Sequence, residues 1–486
     1  MPLARTENDT GSRRRGAVPP PDAVLRWWHR TGACRGRVHG HGMMGAMAVP
    51  RRVVVVGAGP AGLTAARALT TAGAAVTVLE RDPRPGGRSG VAELRVDGQV
   101  WRFDRGAEFI ASFYRSTRYL ARQVGLGRRD LIRLAMDSRI VLDGRRHPLP
   151  TATAAMLRTP LLSAASRRRV AALGTRLAAS APRWGDLAAA ADLDDEDAAS
   201  WFTAHVGRDY ADRILPATLD ALMLSPAHRT SRAVALAQFA AAPGARLYCP
   251  RGGLGTLWES VAAALDVRYE TTVVALRPDG DRVHVDTAGG DTLTADAVLL
   301  AGPPSLATTL LPADHPDRSL ADDAAFSPAV LLHVALAAPA PVPHPVCPVG
   351  AGRHPLAGVE PLEIRGTGQV PDGRGGLAIC ASPQLGAELL DEPDRPIRSL
   401  LLAEAERLLG QPLGDILGWA VVRHRYGVPL FGVGWLRRLH ARDAALRART
   451  HRADRIHLAG DWLASPSLEG AVRSALHACA NLLHTS

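Results

Sequence analysis

The feature that most constrains this chain is a strand–turn–helix–strand unit near residue 53. Val53, Val54, Val55 and Val56 form a β-branched run that stops abruptly at Gly57. A short apolar run without alternation marks a strand buried on both faces of a parallel sheet. Gly57, Ala58, Gly59, Pro60, Ala61 and Gly62 follow at once, and Leu63, Ala66 and Leu69 then recur at helical spacing until Gly73 closes the helix. A second strand covers 76–79 and ends at Glu80. This order specifies a Rossmann-type βαβ unit that holds an ADP moiety. Gly57 makes the tight turn, Gly59 lets the backbone approach a pyrophosphate, and Gly62 lets helix and strand pack. The helix start aims N–H groups and a positive dipole end at the phosphates. Glu80, 18 residues beyond Gly62, accepts hydrogen bonds from the ribose.

Composition narrows the chemistry. All 58 basic side chains are arginine, and no lysine occurs anywhere. Schiff bases, P-loop phosphate cradles and lysine general bases are therefore excluded. The hydrophobic content of 47% is ample for a core, yet no run of about 18 apolar residues is present to span a membrane. The net charge of +11 suggests an anionic partner, but residues 1–52 alone hold ten arginines against Glu7, Asp9 and Asp22. The remainder is nearly balanced, so no nucleic-acid partner is expected. Cys34, Cys249, Cys347, Cys380 and Cys479 are scattered and odd in number, which fits reduced thiols in a cytoplasmic protein. Peripheral contact with a membrane stays open. No metal-ligating pattern is found, and His39 and His41 read as part of a solvated loop. Residues 1–50 combine Arg13, Arg14 and Arg15 with Pro19, Pro20 and Pro21 and lack apolar periodicity, so they are expected to be a disordered leader. Met43, Met44 and Met47 stand just ahead of the first strand, and the leader reads as a misassigned upstream extension.

Beyond Glu80 the chain places Arg81, then Gly86, Gly87 and Arg88, a second backbone approach with a guanidinium beside it. Phe103, Asp104, Gly106, Ala107, Glu108 and Ile110 follow. Near the other end, Ile456, His457 and Leu458 read as a buried strand ending at Gly460 and Asp461. Pro466, Ser467, Leu468, Glu469, Gly470, Ala471 and Val472 then start a helix with apolar positions at Leu468, Val472, Ala475, Ala478 and Leu482. Between these lie paired strands from 267 to 304 with a turn at Asp279 and Gly280. In these three pieces the chain resembles the FAD-dependent amine oxidase superfamily over about residues 50–486.

The resemblance implies an α/β fold, in which a Rossmann-type FAD-binding domain is interleaved with an α+β substrate-binding domain containing a helical subdomain. It implies FAD contacts from Gly57 to Gly62, Glu80, Arg81, Gly86, Gly87 and Arg88. Glu108 would belong to a segment running toward the flavin, and Val273 would meet the adenine. Gly460 and Asp461 would bind the ribityl–phosphate part. The backbone at Gly470, Ala471 and Val472 would face the pyrimidine edge, with Ser474, one turn further on, beyond the reach of the helix dipole. No cysteine lies in 423–461, where covalently flavinylated relatives carry one, so FAD is expected to be noncovalent.

The FAD-binding domain is expected to comprise 51–115, 246–305 and 450–486. Residues 116–245 would form the helical part of the substrate domain, and 306–449 its α+β part. Stretches at 194–219 and 250–257 are similar to protoporphyrinogen-oxidase-like and carotenoid-desaturase-like flavoproteins. That similarity implies oxidation or desaturation of a bulky, hydrophobic small molecule by hydride transfer to flavin N5. Amine oxidation and redox-neutral isomerisation are the alternatives. Gly350 and Gly352 lack the third glycine of a second nucleotide fingerprint, which points to dioxygen or another carrier as electron acceptor. Arg425 and Tyr426 are candidates for orienting substrate. No general base is assigned, and the oligomeric state stays open.

Overall fold

A computed structural model describes residues 51–135, 137–180, 184–348, 354–448 and 455–485; the arginine-rich leader lies outside them. Arg52–Val56 is the central strand of a five-stranded parallel sheet. Its order is Asp266–Arg268, Ala75–Leu79, Arg52–Val56, Ala297–Leu300 and Ile456–Leu458. Val54 is registered with Thr77 on one side and Val298 on the other. The four valines are buried because both sheet faces are covered. Leu63 and Leu69 of the first helix, Pro60–Thr71, share a core with Val472, Ala475 and Leu476 of the C-terminal helix, Leu468–Thr485. Val283 and Val285, from a small antiparallel sheet inserted before Ala297–Leu300, complete it.

A second sheet of seven strands stands beside the first. Its order is Ile416–Pro429, Phe326–Leu336, Gly375–Ala381, Leu356–Pro361, Val346–Pro348, Arg139–Leu142 and Arg145–Pro148. All its contacts are antiparallel except that between Val346–Pro348 and Arg139–Leu142. Ile397, Leu401 and Ala405 of Asp394–Leu409 cover one face. The connections between the sheets bring Asp104, at the end of Gln99–Asp104, against Glu360 and Arg365 from the far half of the chain.

Two expectations need correction. Residues 116–245 are not helical throughout, because they also supply Leu131–Leu134, Arg139–Leu142 and Arg145–Pro148. The last two form a hairpin turned by Asp143 and Gly144, both at positive φ, a signal that the Ala- and Leu-rich flanks outweighed. The helices of that stretch keep a core of their own around Trp201, Phe202, Tyr210 and Ile214. Secondly, Pro304–Leu310, Arg318–Asp322 and Trp435–Ala448 send Leu310, Leu320 and Leu436 into the core of the parallel sheet, although their positions in the chain suggested the substrate side. Among the described residues no helix is long and apolar enough to cross a membrane.

Candidate active site

One cavity of about 1010 Å³ lies between the two sheets, and it begins at the turn after the first strand. Gly57 has φ +104°, and a Cβ there would stand 2.8 Å from the Ala301 carbonyl oxygen. At Gly62 a Cβ would meet the Gly57 oxygen at 1.8 Å, so helix and turn touch backbone to backbone. Gly59 has nothing within 4 Å of the corresponding position and opens on the cavity with Pro60 and Ala61. That is the vacant, N–H-lined space a pyrophosphate requires. Ala58 is buried behind it.

Glu80 is buried at the end of the second strand, where Oε2 accepts from the Ala58 N–H at 2.5 Å and Oε1 from the Asp82 N–H at 2.9 Å. One carboxylate thus ties together the two loops that flank the adenosine position. Arg81 is exposed and approaches Asp82 at 3.7 Å. Gly86 donates its N–H to the Ala58 oxygen at 2.8 Å, which lays Gly87 beside Gly59. Val273 lines the same arm, next to Thr271, whose N–H bonds the Glu80 oxygen at 2.8 Å.

Arg88 joins the two ends of the chain. Its guanidinium donates to both Asp461 carboxylate oxygens, at 2.9 and 2.8 Å, and to the Gly427 carbonyl at 2.7 Å. Gly460, Asp461 and Ala471 line the cavity, but Gly470 and Val472 lie behind its wall. The Gly470 N–H is taken by Ser467 Oγ and the Ala471 N–H by the Ser467 carbonyl, both at 3.1 Å. Ser467 is therefore the N-cap, and the first-turn N–H groups without intrahelical partners are those of Leu468 and Glu469. Of the three residues expected to face the pyrimidine edge, Ala471 lines the cavity beside Ser467 and Leu468. Gly470 is there for packing, since a Cβ would sit 1.9 Å from the Ser465 oxygen. The Ser474 hydroxyl accepts the Gly460 N–H at 3.0 Å and fixes the corner that presents Asp461.

At the opposite arm the wall is largely apolar, and it carries a charged group that sequence reasoning missed. Arg365, from the turn Glu363–Arg365, pairs with Asp104 at 3.2 Å, Glu108 at 2.7 Å and Glu360 at 2.6 Å. Burial pushes the Asp104 carboxyl up to about 6 against the pull of Arg365 and the hydrogen bonds from the Leu254 N–H and Gln369. Burial drives Glu108 well above the ordinary range, with Glu360 and Asp104 adding to it. Burial would raise Glu360 too, but Arg365 and a hydrogen bond from Glu108 hold it below. Glu108 is turned to Arg365, so the structure shows it in this group and not in an arrangement peculiar to the nucleotide arm.

Burial lowers His333 to about 3 and His424 to about 4, so both rings are neutral at pH 7. His333 stacks on Phe103, and His424 bonds the Arg105 carbonyl through Nε2 at 2.7 Å. Arg425 turns outward, 59% exposed, to pair with Asp391 at 2.6 Å. Tyr426 packs edge-on against Phe326, with ring centroids 5.5 Å apart. Among the described residues, no group of three or more His, Cys, Asp or Glu side chains is placed to hold a metal ion.

The sequence profile of the flavin containing amine oxidoreductase family matches residues 60–483. The chain belongs to that family. As a family member it is an FAD-dependent oxidoreductase. A putrescine oxidase from Kocuria rosea is 28% identical over 393 residues, which cover 75% of this chain and 80% of the relative. Among solved structures, an Exiguobacterium protein provisionally described as a protoporphyrinogen oxidase superposes with TM-score 0.69 at 21% identity, over 89% of this chain and 98% of that one. Wild-type putrescine oxidase bound to putrescine gives 0.66 at 20% identity, over 88% and 98%. At such identities the structures speak for the fold alone.

The oxidoreductase's nucleotide arm fits FAD. Gly59 leaves open space beside the turn, and Glu80, Arg88 and Asp461 line the same cavity. Only Glu108 of the carboxyl pair was singled out in the sequence, and for another role. Glu360 and Arg365 carried no signal, because an acid in a short strand and an arginine in the turn after it read as surface.

Proposed function

We propose that this flavoenzyme removes two electrons from a bulky, largely apolar small molecule and passes them to dioxygen or another carrier. The observation that carries this reading is the continuity of one cavity. It is lined by the nucleotide turn at one end and by Leu134, Leu149, Leu224, Leu247, Leu331 and Val346 at the other. Bound FAD supplies, at N5, an acceptor for a hydride from a substrate carbon. The apolar walls exclude water and confine the substrate. The capped start of the C-terminal helix, with Leu468 on the wall, directs a positive dipole end at that part of the site. The absence of lysine leaves arginines and neutral histidines as the basic groups near the cavity.

A second reading, oxidation of an amine, is favoured by the acidic pair Glu108 and Glu360 on the wall and by the Kocuria relative, a putrescine oxidase. The experiment mixes holoprotein anaerobically with polyenes, porphyrinogens and amines of increasing alkyl length while following flavin absorbance. Bleaching by bulky apolar compounds, with colour restored by air, is the expected result. Bleaching confined to short hydrophilic amines would overturn the first reading. Turnover without bleaching or oxygen uptake would instead identify a redox-neutral isomerase.

A further inference from the structure

A second, smaller cavity of about 390 Å³ abuts the substrate arm. Leu134, Ala135, Thr151 and Ala245 line both cavities and form the wall between them. The geometry comes from two strands that part. Leu131–Leu134 runs antiparallel to Leu247–Pro250, and the pairing ends with Leu134 opposite Leu247, both on the wall of the main cavity. Beyond that pair, Ala135 on one chain and Ala245 on the other flank the smaller cavity. Leu134 is buried, whereas Ala135 and Gly244 are exposed, so the smaller cavity reaches solvent. No side chain longer than a methyl stands at Ala135, Ala152, Gly244 or Ala245, which keeps it open.

Its charge is as uneven as its depth. Arg133 is exposed and is the one charged residue lining it among the described residues. Arg246, next to Ala245, is exposed too. Neither guanidinium has an acidic partner among the described residues. The acids closest to Arg133 in the chain are engaged elsewhere. Asp130 accepts the Gly127 N–H at 2.9 Å, and Asp137 pairs with Arg139 at 2.5 Å. A passage with small, uncharged walls and an uncompensated positive rim admits an apolar body and attracts an anion.

We propose that substrate enters the apolar arm through this smaller cavity, and that Arg133 and Arg246 at its rim select a substrate with a carboxylate on its trailing end. The inference rests on reading the apolar arm as the substrate site, and adds to it a direction of entry and a charge. The apolar end leads inward, and the carboxylate stays at the rim in water. There it loses little hydration, so each arginine contributes as an exposed ion pair does, a few-fold at most. The effect falls mainly on the association rate and weakens as salt screens it.

The probes are decanoate, decanamide and decyltrimethylammonium, which share an alkyl chain and differ in charge. Stopped-flow perturbation of the oxidised flavin spectrum gives their association rates with holoprotein. Decanoate should associate roughly threefold to tenfold faster than the amide at about 20 mM salt, and the difference should largely vanish at about 0.5 M. Arg133→Gln should remove most of the preference, and Arg133→Lys should keep it. Ala245→Trp fills the passage and should slow all three probes about tenfold or more, with FAD content and reduction by dithionite unchanged. Ala135→Trp, at an exposed position, makes the same test if the first variant does not fold. Association unaltered in both of these variants would overturn the entrance. Equal rates for decanoate and decanamide in the parent would overturn the selection for an anion and leave the apolar-cavity reading intact. If no probe perturbs the flavin, the apolar arm is not the substrate site, and the proposed function fails together with the inference.

Discussion

The nucleotide arm of the cavity is made largely of backbone, and the substrate arm of side chains gathered from distant parts of the chain. In the first, Gly57, Gly59 and Gly62 work by lacking a Cβ, and their partners are main-chain atoms a few residues away or on the neighbouring strand. In the second, Asp104, Glu108, Glu360 and Arg365 meet across more than 250 positions of sequence. A backbone site is intolerant of added atoms, whereas a charge cluster is intolerant of losing one partner. Substitutions on the two arms should therefore differ in both size and kind.

The largest expected effect is at the cluster. Arg365→Met leaves three buried carboxyl groups without their common cation, and breaking a buried pair from one side costs about 3–5 kcal/mol. Urea unfolding of the holoprotein measures it. A loss below roughly 1 kcal/mol would mean that protonation alone satisfies the carboxyls, and the contrast between the arms would disappear.

His424 connects the arms, since it bonds the Arg105 carbonyl beside the flavin segment and comes from the strand that also carries Arg425. Burial lowers it to about 4 from an ordinary 6.5. The unfolded chain therefore takes up a proton first, and stability is lost as pH falls from 6.5 toward 4. The full difference is roughly 3–3.5 kcal/mol. Asp104, raised to about 6, acts in the opposite sense, because the folded protein takes up its proton first and gains stability as pH falls through 6. His424→Gln removes the first effect alone. Relative to the parent, this variant should gain on going from pH 7 to pH 4, as read by unfolding curves at each pH. Parallel pH profiles would show that the ring is hydrated and titrates normally.

On the nucleotide arm, Glu80→Ala removes an acceptor that also holds the Ala58 and Asp82 N–H groups. FAD affinity should fall by roughly 1.5–3 kcal/mol, measured by fluorescence of FAD released on dilution. Undiminished retention would separate the carboxylate from cofactor binding.

These differences explain what the sequence could disclose. The valine run, the glycine spacing and Glu80 are local, so a parallel sheet with a nucleotide turn was legible from residues 53–80 alone. The C-terminal piece was legible as far as Gly460 and Asp461, because strand and glycine again sit together. Its helix was legible from Ser467 and Leu468 onward, but the capping role of Ser467 depends on a side-chain rotamer that no spacing specifies. Glu360 and Arg365 were invisible because their function arises only when two sheets are brought together. The hairpin at 139–148 was concealed differently, by flanking composition that favours helix.

Ser474 tests the boundary between these two kinds of information. It is expected to lie beyond the reach of the helix dipole, so that losing its hydroxyl leaves the flavin potential nearly untouched, but that hydroxyl also satisfies the buried Gly460 N–H. Ser474→Ala should cost about 1–2 kcal/mol, because it leaves a donor unpaired. It should also loosen Asp461 from Arg88. Equal stability and equal FAD retention would mean that water replaces the hydroxyl.

The smallest effect is expected at Arg425, a candidate in the sequence for orienting substrate. It lies on Ile416–Pro429, whose neighbouring residues Arg423, His424 and Tyr426 also reach the cavity wall. Alternation along a strand decides which of them turns inward. His424 does so and takes the Arg105 carbonyl, while Arg425 leans out to Asp391, itself 82% exposed. An ion pair between two such exposed side chains is worth about 0–1 kcal/mol and is weakened further by salt. Arg425→Ala should therefore change stability by no more than about 0.5 kcal/mol and leave FAD content as it was. The rate of anaerobic flavin bleaching by a reactive substrate should likewise stay within about twofold of the parent, since the guanidinium on the cavity rim is paired outward with Asp391. A fall of tenfold or more, at unchanged FAD content, would show that Arg425 swings inward when substrate is bound. The substrate arm would then possess a second cation beside Arg365, and its surplus of carboxylates would be balanced from within the chain.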